Sequence, residues 1–257
     1  MMANAGAATV EKALDVLFHL HDADSALGLS EIGRALDLPK SSCHRLLASL
    51  VNREMVERDD AGHYRPGLAL LSLGIGAQSR EPVVSAARPI LEEEAGTLGE
   101  TVFVVGLRHG QLRVLDKVEG NGFLRAAPGV GDVVPLDVTA VGKLYRVFGD
   151  ASAIEFEDPS GDVTARREET ETLDRGYALN RDAWIDGLSV LAVPIWQPGG
   201  SAQRRMVAAL ALASASARFD VLGEGVIARQ LLAATDRVAA RLGVSSPLLR
   251  RGARARR

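Results

Sequence analysis

The chain has 257 residues, a net charge of −3 at pH 7 and 47% apolar residues, which is the balance of an ordinary globular protein. This length is sufficient for two domains. The single cysteine, Cys43, excludes an internal disulfide and a cysteine metal cluster, and the apolar stretches are too short to span a membrane. The N-terminus lacks the basic start and apolar core of a secretion signal, so a cytoplasmic protein is expected.

The first quarter of the chain contains short helical patterns followed by a hairpin. Apolar residues at spacings of three and four predict an amphipathic first helix, and Ser30 is the expected N-cap of the second. A tight turn that ends in Gly62 joins two short strands. The predicted elements are helices at 10–21, 30–37 and 40–52 and strands at 55–58 and 63–65. The apolar face of the first helix is expected to hold Val10, Ala13, Leu14, Leu17 and Leu20.

Beyond this segment the pattern changes to longer helices and apolar strands. The predicted helices are 68–78, 82–98, 138–148, 165–175 and 224–242, and the predicted strands are 101–107, 112–117, 188–195 and 206–214. Because helices and strands do not alternate strictly, the pattern predicts an α+β fold with a largely antiparallel sheet. The expected domains are 1–67, a bridging helix at 68–81, a second domain at 82–249 and a basic disordered tail at 250–257. The tail's five arginines either attract phosphate non-specifically or serve only solubility.

The stretch from Leu29 to Leu50 has the pattern of a helix-turn-helix. Gly33 is small enough for two helices to cross closely, Asp37 suits a left-handed turn, and Pro39 suits the start of the next helix. The positions expected to be buried are Ile32, Leu36, Leu38, Cys43 and Leu46. Cys43 is interpreted as a small core residue rather than a sensor.

The opposite face of the third helix is polar and basic, and no acid occurs between Lys40 and Arg53. Arg45 has the reach and geometry to contact a guanine edge, and the hairpin is a candidate wing of a winged helix-turn-helix. The expected partner is a double-stranded DNA operator; the alternative is an ordinary solvated helix face. The candidate DNA-binding residues are Lys40, Ser41, Ser42, His44, Arg45, Ser49 and Asn52 on the helix and His63, Tyr64 and Arg65 on the hairpin.

These segments, read together, resemble the IclR family of bacterial transcriptional regulators. The resemblance rests on VEKALDVL, LSEIGRALDLPKSSCHRLLASL, HYRPG, ARPILEEEAGTLGETV, VEGNGFLRAAPGVGDVVPL, VTAVGK and GLSVLAVPI, in that order along nearly the whole chain. It implies a GAF-like effector-binding domain at the C-terminal end. It also implies homodimers, often paired into tetramers, and a small-molecule effector such as an organic or aromatic acid, with repression or activation as the output.

The resemblance assigns an effector pocket residue by residue. Asn180 stands where some acid-binding relatives have Asp, Val190 where they have Cys, and Ala211 and Ala213 where they have Ser. Because these replacements leave mainly carbon, an aromatic acid is expected in preference to glyoxylate or pyruvate, with Asn180 as its polar contact. The alternative is that the residues only fill the core of the sheet. The full set is Phe123, Ala126, Ala140, Val141, Asn180, Val190, Ala211 and Ala213.

An enzyme is the less favoured interpretation. The five histidines are scattered without metal-binding spacing, so no metal and no cofactor is expected. Asp116, Lys117 and Glu119 could act in acid–base chemistry, but alternating charges on the wet face of a sheet are commoner. Two rival hypotheses remain, an enzyme that has kept a helix-turn-helix and a DNA-binding protein without a ligand. Stabilisation by a ligand without turnover separates a regulator from both.

Overall fold

The computed structural model of the chain describes residues 5–122, 128–150, 163–197 and 205–245. The chain divides into two compact units, Met1–Arg80 and Glu81–Arg257. Within the described residues, no helix combines the length and the apolar character that crossing a membrane requires. The predicted basic tail lies outside the described residues.

The first unit follows the predicted order of elements. Its elements are α1 (Ala5–His21), α2 (Leu29–Ala35), α3 (Lys40–Val51), β1 (Val56–Arg58), β2 (Tyr64–Pro66) and α4 (Leu68–Arg80). The prediction of Ser30 as the N-cap of α2 was wrong, because the helix begins one residue earlier. Gly28 is the N-cap, and its backbone N–H donates to the Glu31 carboxylate at 2.6 Å. A carboxylate at this end of a helix also interacts favourably with the helix dipole.

The two apolar sides of α1 have different surroundings. Val16 and Leu20 are buried in the core of the first unit, together with residues of α2, α3 and the hairpin. Val10, Leu14 and Phe18 follow one another at intervals of four and remain 59%, 48% and 65% exposed. The single apolar face expected for this helix was therefore wrong, since one stripe packs inward and another faces outward.

The second unit is an α+β domain, and the predicted fold class is confirmed. In its described part, six strands form one antiparallel sheet in the order β5-β4-β3-β8-β7-β6. The strands are β3 (Thr101–Arg108), β4 (Gln111–Val118), β5 (Val133–Val134), β6 (Ala178–Arg181), β7 (Leu188–Trp196) and β8 (Met206–Ala215). The helices are α5 (Pro82–Leu98), α6 (Ala140–Phe148), α7 (Val163–Arg175), α8 (Ser216–Leu222) and α9 (Glu224–Ser245).

The two faces of the central strands carry side chains of different size. Because alternate residues of a strand face opposite sides, β8 directs Leu210 and Leu212 to one face and Ala209, Ala211 and Ala213 to the other. The leucine face packs against α5 and α9. The alanine face packs against α6, and its small side chains leave space beside that helix.

Candidate nucleic-acid interface and ligand cavity

The turn between α2 and α3 holds these two helices close together. Asp37 has a φ of +51°, the left-handed conformation predicted for it. Gly33 gives the room for the crossing, since a Cβ there would stand 3.2 Å from the Leu38 carbonyl oxygen and 3.9 Å from the Cβ of Cys43. The Cys43 thiol is fully buried, 3.8 Å from the Leu29 carbonyl oxygen, and burial raises its pKa. Cys43 is therefore a core residue, as predicted.

The outward face of α3 presents most of the polar residues assigned to DNA. Lys40 and Arg45 are exposed, and neither has an acidic partner among the described residues. The hydroxyl of Ser49, which is also exposed, donates to the Arg45 carbonyl oxygen at 3.0 Å. Ser42 is half-buried. The other exposed members of the set are Ser41, His44 and Asn52.

Tyr64 is the member of the predicted DNA-binding set that the structure places in a core. Its side chain is 5% exposed and packs in the core of the first unit. Two backbone hydrogen bonds with Leu27, at 3.0 and 2.8 Å, hold this strand in place. Since alternate strand residues face opposite sides, Tyr64 points inward and Arg65 points outward. The assignment of the Tyr64 side chain to DNA was therefore wrong.

The hairpin wing presents arginines on its outer surface. Arg65 is exposed, and its guanidinium lies 2.9 Å from the Glu57 carboxylate. Arg58, which the sequence analysis did not single out, is exposed, and its guanidinium carbon lies 5.6 Å from the centroid of the Tyr64 ring. In the hairpin, Arg58 lies directly opposite Tyr64. His63, the remaining wing residue of the predicted set, is half-buried.

A cavity lies on the alanine face of the sheet, beside the start of α6. This first cavity contains about 330 Å³ of space between atoms, open solvent included, and its interior has room for about one water molecule. Ala211 is fully buried on the same face without lining the cavity, and Phe123 and Ala126 lie outside the described residues. The residues of the predicted pocket that line the cavity are Ala140, Val141, Asn180, Val190 and Ala213.

Sequence reasoning missed further residues that line the first cavity. Trp184 lies in the loop between β6 and β7, where no periodic pattern marks it. Phe103 alternates on β3 with Val102 and Val104, which are buried on the leucine face, so the strand period was a usable signal for it. The lining residues missed are Phe103, Pro128, Val134, Thr139, Trp184 and Leu188.

Polar groups of the first cavity lie at the start of α6. Thr139 caps this helix, since its Oγ1 accepts from the Gly142 N–H at 3.0 Å and its hydroxyl donates to the Pro135 carbonyl oxygen at 2.6 Å. The N–H groups of Ala140 and Val141 have no partner inside the helix, because the first N–H groups of a helix have none. Both residues line the cavity. The accessible lining of the cavity is apolar, so an anionic group reaches these N–H groups, at the positive end of the helix, when the lining side chains move apart.

Asn180 has protein partners at both ends of its amide. Its Nδ2 donates to the Val138 carbonyl oxygen, and its Oδ1 accepts from the Ala183 N–H at 3.3 Å. Asn180 therefore offers a ligand less than a free amide, since one N–H and one lone pair of Oδ1 remain.

The three charged residues considered for acid–base chemistry do not all lie on a solvent-exposed face of the sheet. Asp116 is 1% exposed, and its carboxylate lies 2.9 Å from the Arg88 guanidinium, so placing it on the wet face was wrong. Lys117 lies 3.1 Å from the Glu119 carboxylate. Among the described residues, no three His, Cys, Asp or Glu side chains gather as a candidate metal site.

A winged helix-turn-helix with a basic outward face, together with an α+β unit that contains a cavity, characterises a DNA-binding regulator. The IclR helix-turn-helix domain matches residues 9–60, and the bacterial transcriptional regulator IclR C-terminal domain matches residues 76–157. The chain belongs to the IclR family of bacterial transcriptional regulators.

Curated relatives agree with this family. The transcriptional regulator XynR of Escherichia coli is 27% identical over 226 residues, which cover 82% of this chain and 88% of XynR. The probable transcriptional regulator SauR of Cupriavidus necator is 28% identical over 207 residues, 76% of this chain and 82% of SauR. The E. coli repressor AllR is 26% identical over 232 residues, 85% of this chain and 84% of AllR.

Solved structures share the fold. The Thermotoga maritima IclR structure has a TM-score of 0.75 at 22% identity and covers 91% of this chain and 98% of its own. An IclR homologue from Microbacterium hydrocarbonoxydans, complexed with 4-hydroxybenzoate, has a TM-score of 0.75 at 19% identity and covers 92% of this chain and 100% of its own.

Proposed function

We propose that the protein binds an operator through the outward face of α3 and that an aromatic acid in the first cavity modulates this binding. The observation that carries the first part is the exposed cationic face of α3, where Lys40 and Arg45 have no acidic partner among the described residues. A helix presented in this way reads base edges in the major groove, while arginines on the wing contact the backbone. The protein acts in the cytoplasm, where its DNA is, and catalyses no reaction.

The lining of the first cavity supports an acid with a ring. Phe103, Leu188, Val190 and Trp184 offer carbon surface, and the start of α6 offers N–H groups to a carboxylate. Burial of an aromatic ring contributes roughly 25 cal/mol per Å², which glyoxylate and pyruvate cannot match with so little apolar surface. The Microbacterium homologue complexed with 4-hydroxybenzoate supports the same class. Because the cavity is narrow, a ring enters when lining side chains move apart.

Benzoate and 4-hydroxybenzoate are expected to raise the melting temperature of the full chain, and glyoxylate and pyruvate are not. At a ligand concentration about 100 times the Kd, the free energy of unfolding rises by about 2.7 kcal/mol. Val190→Asp places a carboxylate in the cavity wall and is expected to abolish the shift while operator binding persists. Calorimetry with each acid measures the affinity directly.

The matched control for Val190→Asp is Val226→Asp, because Val226 is 46% exposed on α9. Ala213→Leu, which fills the first cavity with carbon, provides a second variant if the buried aspartate prevents folding. Tight glyoxylate binding without any response to aromatic acids would contradict the proposed effector class. Consumption of the acid would favour an enzyme, and operator binding indifferent to every acid would favour a ligand-independent DNA-binding protein.

Two exposed apolar stripes support a homodimer, and two such dimers would pair into a tetramer. The first is Val10, Leu14 and Phe18 on α1. The second stripe lies on α4, where no residue is buried within the described chain. Its exposed apolar side chains are Leu68, Leu71, Leu73 and Ile75. An unpartnered apolar surface of this kind marks an interface, and two linked recognition helices give the affinity that one lacks.

The full chain is expected to sediment as a dimer or larger species at micromolar concentration. Phe18→Glu combined with Ile75→Glu places charges on both stripes, so we expect a monomer with greatly weakened operator binding. Val163→Glu changes a valine that is 82% exposed on α7 and serves as the control. A stable wild-type monomer at micromolar concentration would rule out this interface.

A further inference from the structure

A second cavity lies at the opposite ends of the strands that line the first. It is bounded by the end of β3, the end of β7 and the start of β8, and it contains about 970 Å³ of space between atoms, open solvent included. The helix α6 reaches both cavities, since it begins at the first with Ala140 and contributes Tyr145 to the second. The apolar side chains that line the second cavity are Pro82, Val83, Leu107, Met206, Val207 and Leu242.

A buried hydroxyl faces this second cavity. Tyr145 is 3% exposed, and its hydroxyl oxygen accepts from the Leu107 N–H at 3.2 Å. Burial raises the pKa of Tyr145 to about 12, so the hydroxyl keeps its hydrogen throughout the physiological pH range. The described residues supply no acceptor for that hydrogen. Tyr145 therefore has a hydrogen-bond donor left for a ligand.

The charged residues that line the second cavity are two arginines and two acids, and Arg205 is the cation left available to a negative group. The Arg108 guanidinium lies 2.8 Å from the Glu81 carboxylate, so these two charges offset each other. Asp150 also lines the cavity and has a partner of its own. Arg205 is exposed, and no acid among the described residues pairs with it. The N–H of Val83, in the first turn of α5, adds to the attraction.

We propose that the second cavity is a separate small-molecule site that takes a monocarboxylic acid with an apolar body, such as a medium-chain fatty acid. The carboxylate lies between Arg205 and the Tyr145 hydroxyl, and the chain lies along the apolar wall that includes Leu107 and Met206. Because two arginines stand against two acids in the lining, the cavity has no excess positive charge to offset a second negative charge on a ligand such as a phosphate. The site is independent of the aromatic-acid site in the first cavity.

The two tryptophans of the chain separate the two cavities experimentally. Trp184 lines the first cavity. Trp196 precedes the lining residue Gln197 and pairs with the lining residue Met206 in the sheet. The Trp184→Phe variant of the full chain therefore keeps only the tryptophan beside the second cavity, and the Trp196→Phe variant keeps only the one in the first.

The experiment titrates octanoate into the Trp184→Phe variant and follows the emission of Trp196. We expect a saturable change, with an apparent Kd that rises about tenfold or more when Arg205→Ala is added, because a charge-assisted hydrogen bond is lost. Tyr145→Phe removes the remaining donor and is expected to weaken binding too. Arg229→Ala, at an exposed arginine of α9 outside the cavity, is expected to leave the Kd unchanged.

Octanol tests whether the carboxylate matters, since it has the same chain without the charge. Weaker binding of octanol than of octanoate supports the proposal. An equal response to octanol, or an unchanged Kd in Arg205→Ala, would show apolar contact alone and overturn it. The absence of any change in Trp196 emission at millimolar octanoate would also overturn it. So would a change of emission in the Trp196→Phe variant when the Trp184→Phe variant shows none.

Discussion

Arg45→Ala is expected to lower operator affinity by about 1–3 kcal/mol and to relax the preference at one base pair. Arg45 is exposed on the outward face of α3, and a guanidinium there can donate two parallel hydrogen bonds to a guanine edge. Lys40→Ala is expected to weaken binding to all sequences alike, since a lysine in the first turn of the helix contacts phosphate. Fluorescence anisotropy with an operator and its single-base variants measures both effects.

The salt dependence of binding separates these two roles. Loss of the Lys40 phosphate contact is expected to reduce the slope of log affinity against log salt by about 1. Arg229→Ala removes an exposed arginine from the second unit and controls for the change of net charge. Unchanged operator affinity in Arg45→Ala would show that α3 is not the recognition helix.

Gly142→Ala is expected to destabilise the second unit by about 3 kcal/mol, because a forced overlap in a packed interior is costly. A Cβ on Gly142 would stand 1.7 Å from the Leu136 carbonyl oxygen and 2.5 Å from its carbon, so the backbone itself would have to shift. Both tryptophans, Trp184 and Trp196, lie in the second unit, so their emission during denaturant unfolding reports on that unit.

The matched control is Gly96→Ala, at another helical glycine of the second unit. A Cβ on Gly96 would meet nothing within 4 Å, so alanine there is expected to stabilise α5 by roughly 0.5–1 kcal/mol. Opposite signs for the two substitutions identify the close approach at Gly142 as the cause. Equal stability of the Gly142→Ala variant and the wild type would contradict the packing described for the start of α6.

Local patterns predicted most of the fold because hydrophobic periodicity and turn chemistry act over short distances. Asp37 is an example, since a turn that requires a positive φ restricts the residue types that fit. The strands β5 and β6 and the helix α8, which are two, four and seven residues long, show too few periods and were missed. Whether such short elements form depends on pairing with distant parts of the chain. The similarly short β1, β2 and α2 were predicted because a tight turn or the helix-turn-helix pattern marks them.

Sequence reasoning did not find the partners of two polar groups, because these partners come from distant parts of the chain. Asp116 pairs with Arg88, which lies 28 residues away, and the amide of Asn180 donates to Val138, 42 residues away. Tyr64 was misplaced for another reason: a short strand shows too little alternation to decide which face is buried. The cavity positions came from the family resemblance, and the missed Trp184 lies in a loop without any pattern.

The buried Cys43 is a natural probe of local opening in the first unit. Its thiol is fully buried and is the only one in the chain, so a thiol reagent reacts when the helix-turn-helix core opens. When reclosing is faster than the reagent, the labelling rate measures the free energy of that opening. Because the tryptophans belong to the other unit, chemical labelling and fluorescence follow the two halves of the molecule separately, without any engineered probe.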